Sequence, residues 1–102
     1  MKVFISQLMF GKTKEEILKD RERIKKYIKA KYKEPIEIID SYITEDVPKD
    51  VASPGVWYTA KSLEYMSKAD LVFFSKDFVK GKGCTTEYNM VLQYHMEHDF
   101  EQ

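Results

Sequence analysis

Lys80–Met90, KGKGCTTEYNM, follows the apolar run Leu71–Phe74 and is the segment whose reading organises the rest of the chain. Gly81 and Gly83, at alternate positions, loosen the backbone there. Cys84, Thr85 and Thr86 come next and any of them can cap a helix, so a helix is expected from about Thr85. Glu87 then falls in its first turn, where the positive end of the helix dipole favours an ionised carboxylate. A strand, a glycine-bearing loop and a helix opening with an acid make a candidate active-site corner. The plainer reading, in which Glu87 only complements the dipole, is favoured on the local pattern alone.

Working outward, DLVFF at Asp70–Phe74 reads as a strand, and so does KVFIS at Lys2–Ser6. The latter is short, β-branched and aromatic, as a strand covered on both faces should be. After the turn Gln7–Lys12, Thr13 and Glu16 form a T-x-x-E capping box. A helix over about Lys14–Tyr32 follows, with Ile17, Ile24, Tyr27 and Ile28 inward and Leu18 and Tyr32 beside them. Its other face, Arg21 and Arg23 included, reads as solvated charge. Pro35 precedes a second strand, Ile36–Ile39, with Asp40 and Ser41 at its carboxyl end. Tyr42–Ser53 reads as a loop long enough to be functional. Ser53-Pro54 is a helix start, and Val56–Lys68 carries Ala60, Leu63 and Met66 inward. Trp57 and Tyr58 at its mouth suit packing, with stacking on a base as the alternative. In the last helix Met90, Val91 and Tyr94 form the inner face. HMEHDFEQ is expected to fray, with His95 and His98 solvated; a third ligand for a metal is lacking.

Order β-α-β-α-β-α calls for a parallel sheet with right-handed crossovers. The expected fold is α/β, a small three-layer sandwich of flavodoxin-like type with strand order 2-1-3, residues 1–102 forming one domain. Helix one would cover one face and the other two helices the second. Ligands bind such sheets at the carboxyl ends, where the strand order reverses. That crevice would be lined by Gln7–Lys12, the segment after Asp40, and the corner Gly81–Glu87. Lys12 and the free amides of the first turn suit an anion. With no strand foreseen after the last helix, LVFF would be an exposed apolar edge, and self-association is expected.

Lys plus Arg number 17 and Asp plus Glu number 17, so no net field steers the chain to nucleic acid or an anionic membrane. The lone Cys84 excludes an internal disulfide framework and suits a reducing compartment. No run approaches the ~18 apolar residues of a membrane span, and MKVFISQ lacks the apolar region of a signal peptide. A cytoplasmic protein is expected.

Three motifs in order, MKVFISQ-x-M-x-GKT-x-EEI, WY-x-x-KSLE-x-x-S-x-AD and GC-x-x-E, resemble a small domain family of bacteria and their phages. That family looks like a compact relative of the nucleoside 2-deoxyribosyltransferases and the deoxynucleoside monophosphate N-glycosidases. The resemblance covers nearly the whole chain. It implies a deoxyribosyltransferase-like fold, no cofactor, and a nucleoside or nucleotide as the small-molecule partner. In such relatives a glutamate attacks the anomeric carbon, and Glu87 matches it by position. Asp70 matches an acidic position with a structural role. The expected substrate-binding positions are Gln7, Met9, Phe10, Gly11, Lys12, Asp40, Gly81 and Gly83 from the converging crevice, Trp57 from the mouth of the second helix, and Ser62 from the resemblance. Departures from the pattern leave non-catalytic nucleotide binding as the alternative. Ser62 stands where relatives carry an aspartate that handles the base. Phe4 replaces a tyrosine that supports the nucleophile, and Leu8-Met9-Phe10-Gly11 replaces a Pro-Met-Arg-Gly turn.

Overall fold

A computed structural model describes residues 1–102. Its elements are β1 (Lys2–Ser6), α1 (Lys14–Lys31), β2 (Glu37–Ile38), α2 (Pro54–Met66), β3 (Leu71–Phe74), a 3₁₀ turn (Phe78–Lys80), α3 (Lys82–Gln93) and β4 (His98–Phe100). All four strands are parallel, in the order β2-β1-β3-β4. The α/β fold and the 2-1-3 core of the order are as the sequence leads one to expect. α1 packs on one face, where Val3, Ile5, Leu71 and Phe73 meet Ile24 and Ile28. α2 and α3 pack on the other, where Phe4, Val72 and Phe74 meet Met66 and Val91. The period-2 alternation of β1 and β3 thus serves two cores rather than one wet face, which is why both strands read as continuous apolar runs.

The expected caps are in place. Thr13 and Glu16 close both bonds of the capping box at 3.1 Å. Ser53 Oγ accepts from the Val56 amide at 3.4 Å, with Pro54 at the first position of α2. Asp70 holds a structural post, its carboxylate accepting from the Lys2 amide at 2.8 Å.

Four details differ from expectation. HMEHDFEQ does not fray; His98–Phe100 pairs with Val72–Phe74 as β4. The strand follows a helix end in which the Met96 amide reaches back to Val91 O at 3.0 Å, with His95 at φ 53 in the left-handed position usually held by glycine. LVFF is therefore an interior strand, and the bare edge that gave the reason for expecting self-association does not exist. Phe100 joins the second core, its ring 5.6 Å from that of Phe74.

Secondly, α3 begins at Lys82, capped by Gly81, so Glu87 lies in the second turn and no acid occupies the first. Gly83 is a helical residue there. Gly81 is the closer-packed of the two, since a Cβ would lie 3.1 Å from Leu8 Cδ1, which would have to give by a few tenths of an ångström. Thirdly, Arg21 is not on a solvated face but buried, at 4% exposure. Fourthly, Tyr94 and Leu18 are exposed rather than inward, Tyr94 because it sits at the helix end, past the last inward position at Val91. No helix is long and apolar enough to cross a membrane.

Candidate functional site

A cleft of ≈ 1170 Å³ opens at the carboxyl end of β1, on the side where α2 and α3 begin. Its walls are the turn after β1, the segment Ser41–Ile43 after β2, one side of α2 from Gly55 to Leu63 and the start of α3. This is where an open parallel sheet presents its ligand crevice, and the space exceeds what one drug-sized ligand fills.

Of the residues expected to bind substrate, Gln7, Met9, Phe10, Ser62, Gly81 and Gly83 line this cleft together with Glu87. Gly11, Lys12, Asp40 and Trp57 do not. Gly11 adopts φ 79, and so serves the turn. Lys12 is occupied, its Nζ 2.6 Å from Asp20 and 3.2 Å from Asp77, and the hydrogen bond it donates to Asp20 leads in raising its pKa. An ammonium so engaged is not the free cation an anion would need. Asp40 is exposed and accepts a 3.4 Å bond from the Tyr42 amide. Trp57 packs edge-on against Tyr58 at 5.1 Å with Lys61 Nζ 5.6 Å from its ring, so the packing role accounts for it. Gln7 lines the cleft but its side chain is spent: Nε2 donates to Ile17 O and Oε1 accepts from Arg21, both at 3.0 Å.

Glu87 is 5% exposed, at the cleft floor. Its Oε1 accepts from Ser6 Oγ at 2.8 Å, and no group of the chain bonds to Oε2. Burial pushes its pKa up from 4.5 to about 7, and the Ser6 hydrogen bond pulls against that shift without cancelling it. The reason for expecting an ionised, dipole-stabilised carboxylate is thus overturned. Second-turn placement removes most of the dipole's benefit, and desolvation dominates. Near neutral pH the group exchanges between acid and carboxylate, a state suited to attack or to proton transfer.

Ser6 was not among the expected residues, yet it has a readable signal. Phe4 and Ser6 are two apart on β1, so they share the face that α2 and α3 cover. Phe4 has no hydroxyl, and the one that meets Glu87 on that face comes from Ser6. Cys84 also lines the cleft, but burial pushes its thiol up to about 11, so it remains protonated and a poor nucleophile.

The charged inventory of the lining is small. Glu87 is its single acid, and Lys80 and Lys82 at the rim are its cations. Exposed apolar groups frame the mouth: Phe10 is 90% exposed, and Val56 and Tyr58 are exposed on the α2 side. No three of the chain's His, Cys, Asp or Glu side chains are placed to hold a metal ion. Comparison with known proteins yields no match: no family model, no curated protein and no solved structure is similar to this chain.

Proposed function

We propose that the cleft binds a nucleoside or nucleotide and that Glu87 attacks the carbon bearing its N-glycosidic bond, giving an N-glycosidase or deoxyribosyltransferase-like activity. One observation carries this reading. A buried carboxyl at the switch-point floor has one oxygen fixed by Ser6, while the other has no protein partner. A carboxylate held in that way is oriented, poorly solvated and free on the side a ligand would occupy, the three conditions a nucleophile needs. The motif resemblance supports the same assignment. Attack by Glu87 would form a glycosyl ester with loss of the base, and water or a second base would then release the sugar.

Glu87 as the sole acid of the lining favours a second reading, a non-catalytic binding module for the same ligands. Glycoside hydrolysis ordinarily uses two carboxylates, one to activate water. A chromatographic screen for free base released from nucleosides, nucleotides and NAD separates the two. The catalytic reading expects release by the wild type and a drop of at least about 1,000-fold in Glu87→Ala, a loss of about 4 kcal/mol. Ligands that raise the melting temperature but remain intact would instead establish the binding module.

A further inference from the structure

The walls of the cleft are not equally held. The turn after β1 is tied down by the Ser75 amide donating to Ser6 O at 2.9 Å and the Lys12 amide to Met9 O at 3.1 Å. α2 and α3 carry their own helical hydrogen bonds. The wall that Ser41, Tyr42 and Ile43 supply runs on into residues 42–52, which form neither helix nor strand. The one backbone–backbone hydrogen bond of that segment is internal, Val51 N to Pro48 O at 3.2 Å. The Tyr42 amide reaches only the Asp40 carboxylate, at 3.4 Å. None of residues 42–52 is buried. Few buried contacts and unpaired backbone groups are the marks of a segment that opens at little cost.

Both ends of the segment are firmly anchored. Arg21 Nη2 donates to Ile39 O at 3.0 Å and to Ser41 Oγ at 2.9 Å, which fixes the start to α1. Ser53 O receives the Trp57 amide at 3.1 Å and Ser53 Oγ the Val56 amide at 3.4 Å, which fixes the finish to α2. Between the anchors two side-chain contacts hold it. Lys61 Nζ lies 3.4 Å from Glu45 Oε2, on a carboxylate side chain that is 55% exposed. Lys14 Nζ lies 5.7 Å from the centre of the Tyr42 ring. An exposed ion pair and a solvated cation–π contact are weak restraints.

A chain pinned at both ends, loosely held between them and carrying Tyr42 and Ile43 into the cleft has the build of a strap. At ≈ 1170 Å³ the cleft exceeds the ~300–1,000 Å³ of ordinary small-ligand pockets, so it has room to contract. We propose that residues 42–52 close over the bound ligand and bring Tyr42 and Ile43 down onto it. Closure replaces cleft water by an aromatic ring and an aliphatic side chain, and it commits the ligand to the site. The inference rests on the ligand-binding reading above, in its catalytic or its non-catalytic form.

Closing orders a loose segment, so its cost is entropic and is read in the affinity. Pro48 isolates that cost, being exposed and outside the cleft lining. Pro48→Gly adds freedom to the chain without touching a ligand. If the segment is loose before binding, the added freedom is present in the folded and the unfolded protein alike. The melting temperature then hardly moves and the cost falls on binding. In a fixed wall the cost falls on folding and the affinity stays the same.

Hydrogen exchange read by mass spectrometry follows the strap directly. It is measured on wild type, Pro48→Gly and Glu87→Gln, the last leaving a bound ligand uncleaved, with adenosine, AMP and NAD as probes. In the free protein the amides of residues 43–47 should exchange within about tenfold of an unstructured peptide, and β1 at least about 1,000-fold more slowly. A probe that raises the melting temperature should slow the strap by at least about tenfold. Pro48→Gly should bind that probe about two- to fivefold more weakly at an unchanged melting temperature. Three results overturn the inference and leave ligand binding standing. They are a strap as protected as β1 before ligand is added, a probe that binds without slowing it, and a Pro48→Gly protein that melts earlier at unchanged affinity. If none of the probes binds, the inference falls together with the reading it rests on.

Discussion

Glu87 and Glu101 are the two buried carboxylates of this chain, 5% and 8% exposed, and the fold treats them oppositely. Glu101 lies just past β4, where Oε2 receives Arg23 Nε at 3.0 Å and Oε1 receives the Lys76 amide at 3.1 Å. Arg23 continues to Asp20, Asp20 to Lys12, and Lys12 to Asp77, so every charge in that cluster has a partner of opposite sign. Burial alone would push the Glu101 pKa up, but Arg23 and the Lys76 amide outweigh it and the net shift is downward. Glu87 has only a neutral hydroxyl, and its pKa goes up. The difference separates two uses of a buried acid: one ties the C-terminal segment to α1 and the loop after β3, the other is held ready at a destabilising cost.

The largest effect on stability should come from removing that cost. Between the ordinary 4.5 and about 7, native Glu87 keeps a proton that the unfolded chain has released. The unfolded state then binds fewer protons, so Glu87 makes stability fall as pH rises through this window. Above it the deficit is complete, at about 3 kcal/mol for a gap of that size. Glu87→Gln, which retains an acceptor for Ser6, should thus be more stable than wild type by up to about 3 kcal/mol at pH 8. The gain should nearly vanish at pH 4. Urea unfolding at the two pH values measures it, and a gain independent of pH would break the contrast between the two glutamates.

Removing the one partner of Glu87 sharpens the same contrast. Ser6 Oγ donates to Oε1 and so favours the charged form. A hydrogen bond to a charged group is worth about 1.5–3 kcal/mol. Ser6→Ala should accordingly raise the midpoint at which Glu87 ionises by about one pH unit or more, from near 7. Carbon NMR titration of the carboxyl reads this directly, and an unchanged midpoint would mean that the hydroxyl does not set the charge of the site.

Much of this arrangement was legible in the residues, and where it was not the reason is physical. The capping box, Ser53-Pro54 and the apolar runs are local signals, and the elements they imply are the ones observed. The convergence of Gln7–Phe10 with Gly81–Glu87 followed from topology alone, because a parallel sheet with order 2-1-3 leaves its crevice there. β4 was hidden because His95 holds a left-handed position that normally announces itself as glycine, and because His98 and Asp99 mask a three-residue strand. Arg21 was hidden because its charge reads as solvated, although it stands four residues after Ile17 and three before Ile24 on the inward face of α1, where Gln7, Ile39 and Ser41 satisfy its guanidinium. The upward shift of Glu87 is hidden for a related reason. A starting point at Thr85 instead of Lys82 placed the acid in the dipole's reach, and burial cannot be read from a first turn.

On the matched side a smaller effect with the opposite pH slope is expected. Glu101 contributes stability above its unfolded pKa and loses it as pH falls below the ordinary carboxylate range. Arg23 is 43% exposed, which discounts the ion pair, so Glu101→Gln should cost about 1 kcal/mol at pH 7. The cost should shrink toward pH 3, and the titration of Glu87 should not move. A shift of the Glu87 midpoint in this variant would show that the clamp and the cleft are one electrostatic unit.

The smallest stability effect belongs to Phe10, and it bears on the cleft most cleanly for that reason. Its side chain is 90% exposed at the rim, beside Gly11 at φ 79, and has almost no apolar contact to lose on substitution. Phe10→Ser should therefore change unfolding free energy by no more than about 0.5 kcal/mol, as surface replacements do. An aromatic stack on a bound base is nevertheless worth about 0.5–1.5 kcal/mol. The same variant should weaken binding of a nucleoside ligand by roughly three- to tenfold, since 1.36 kcal/mol corresponds to a factor of ten. Unchanged affinity with unchanged stability would leave Phe10 outside the ligand's reach and confine recognition to the walls nearer Glu87 and Ser41. A stability loss above 1 kcal/mol would instead mean that the turn packs against the cleft in the unliganded protein.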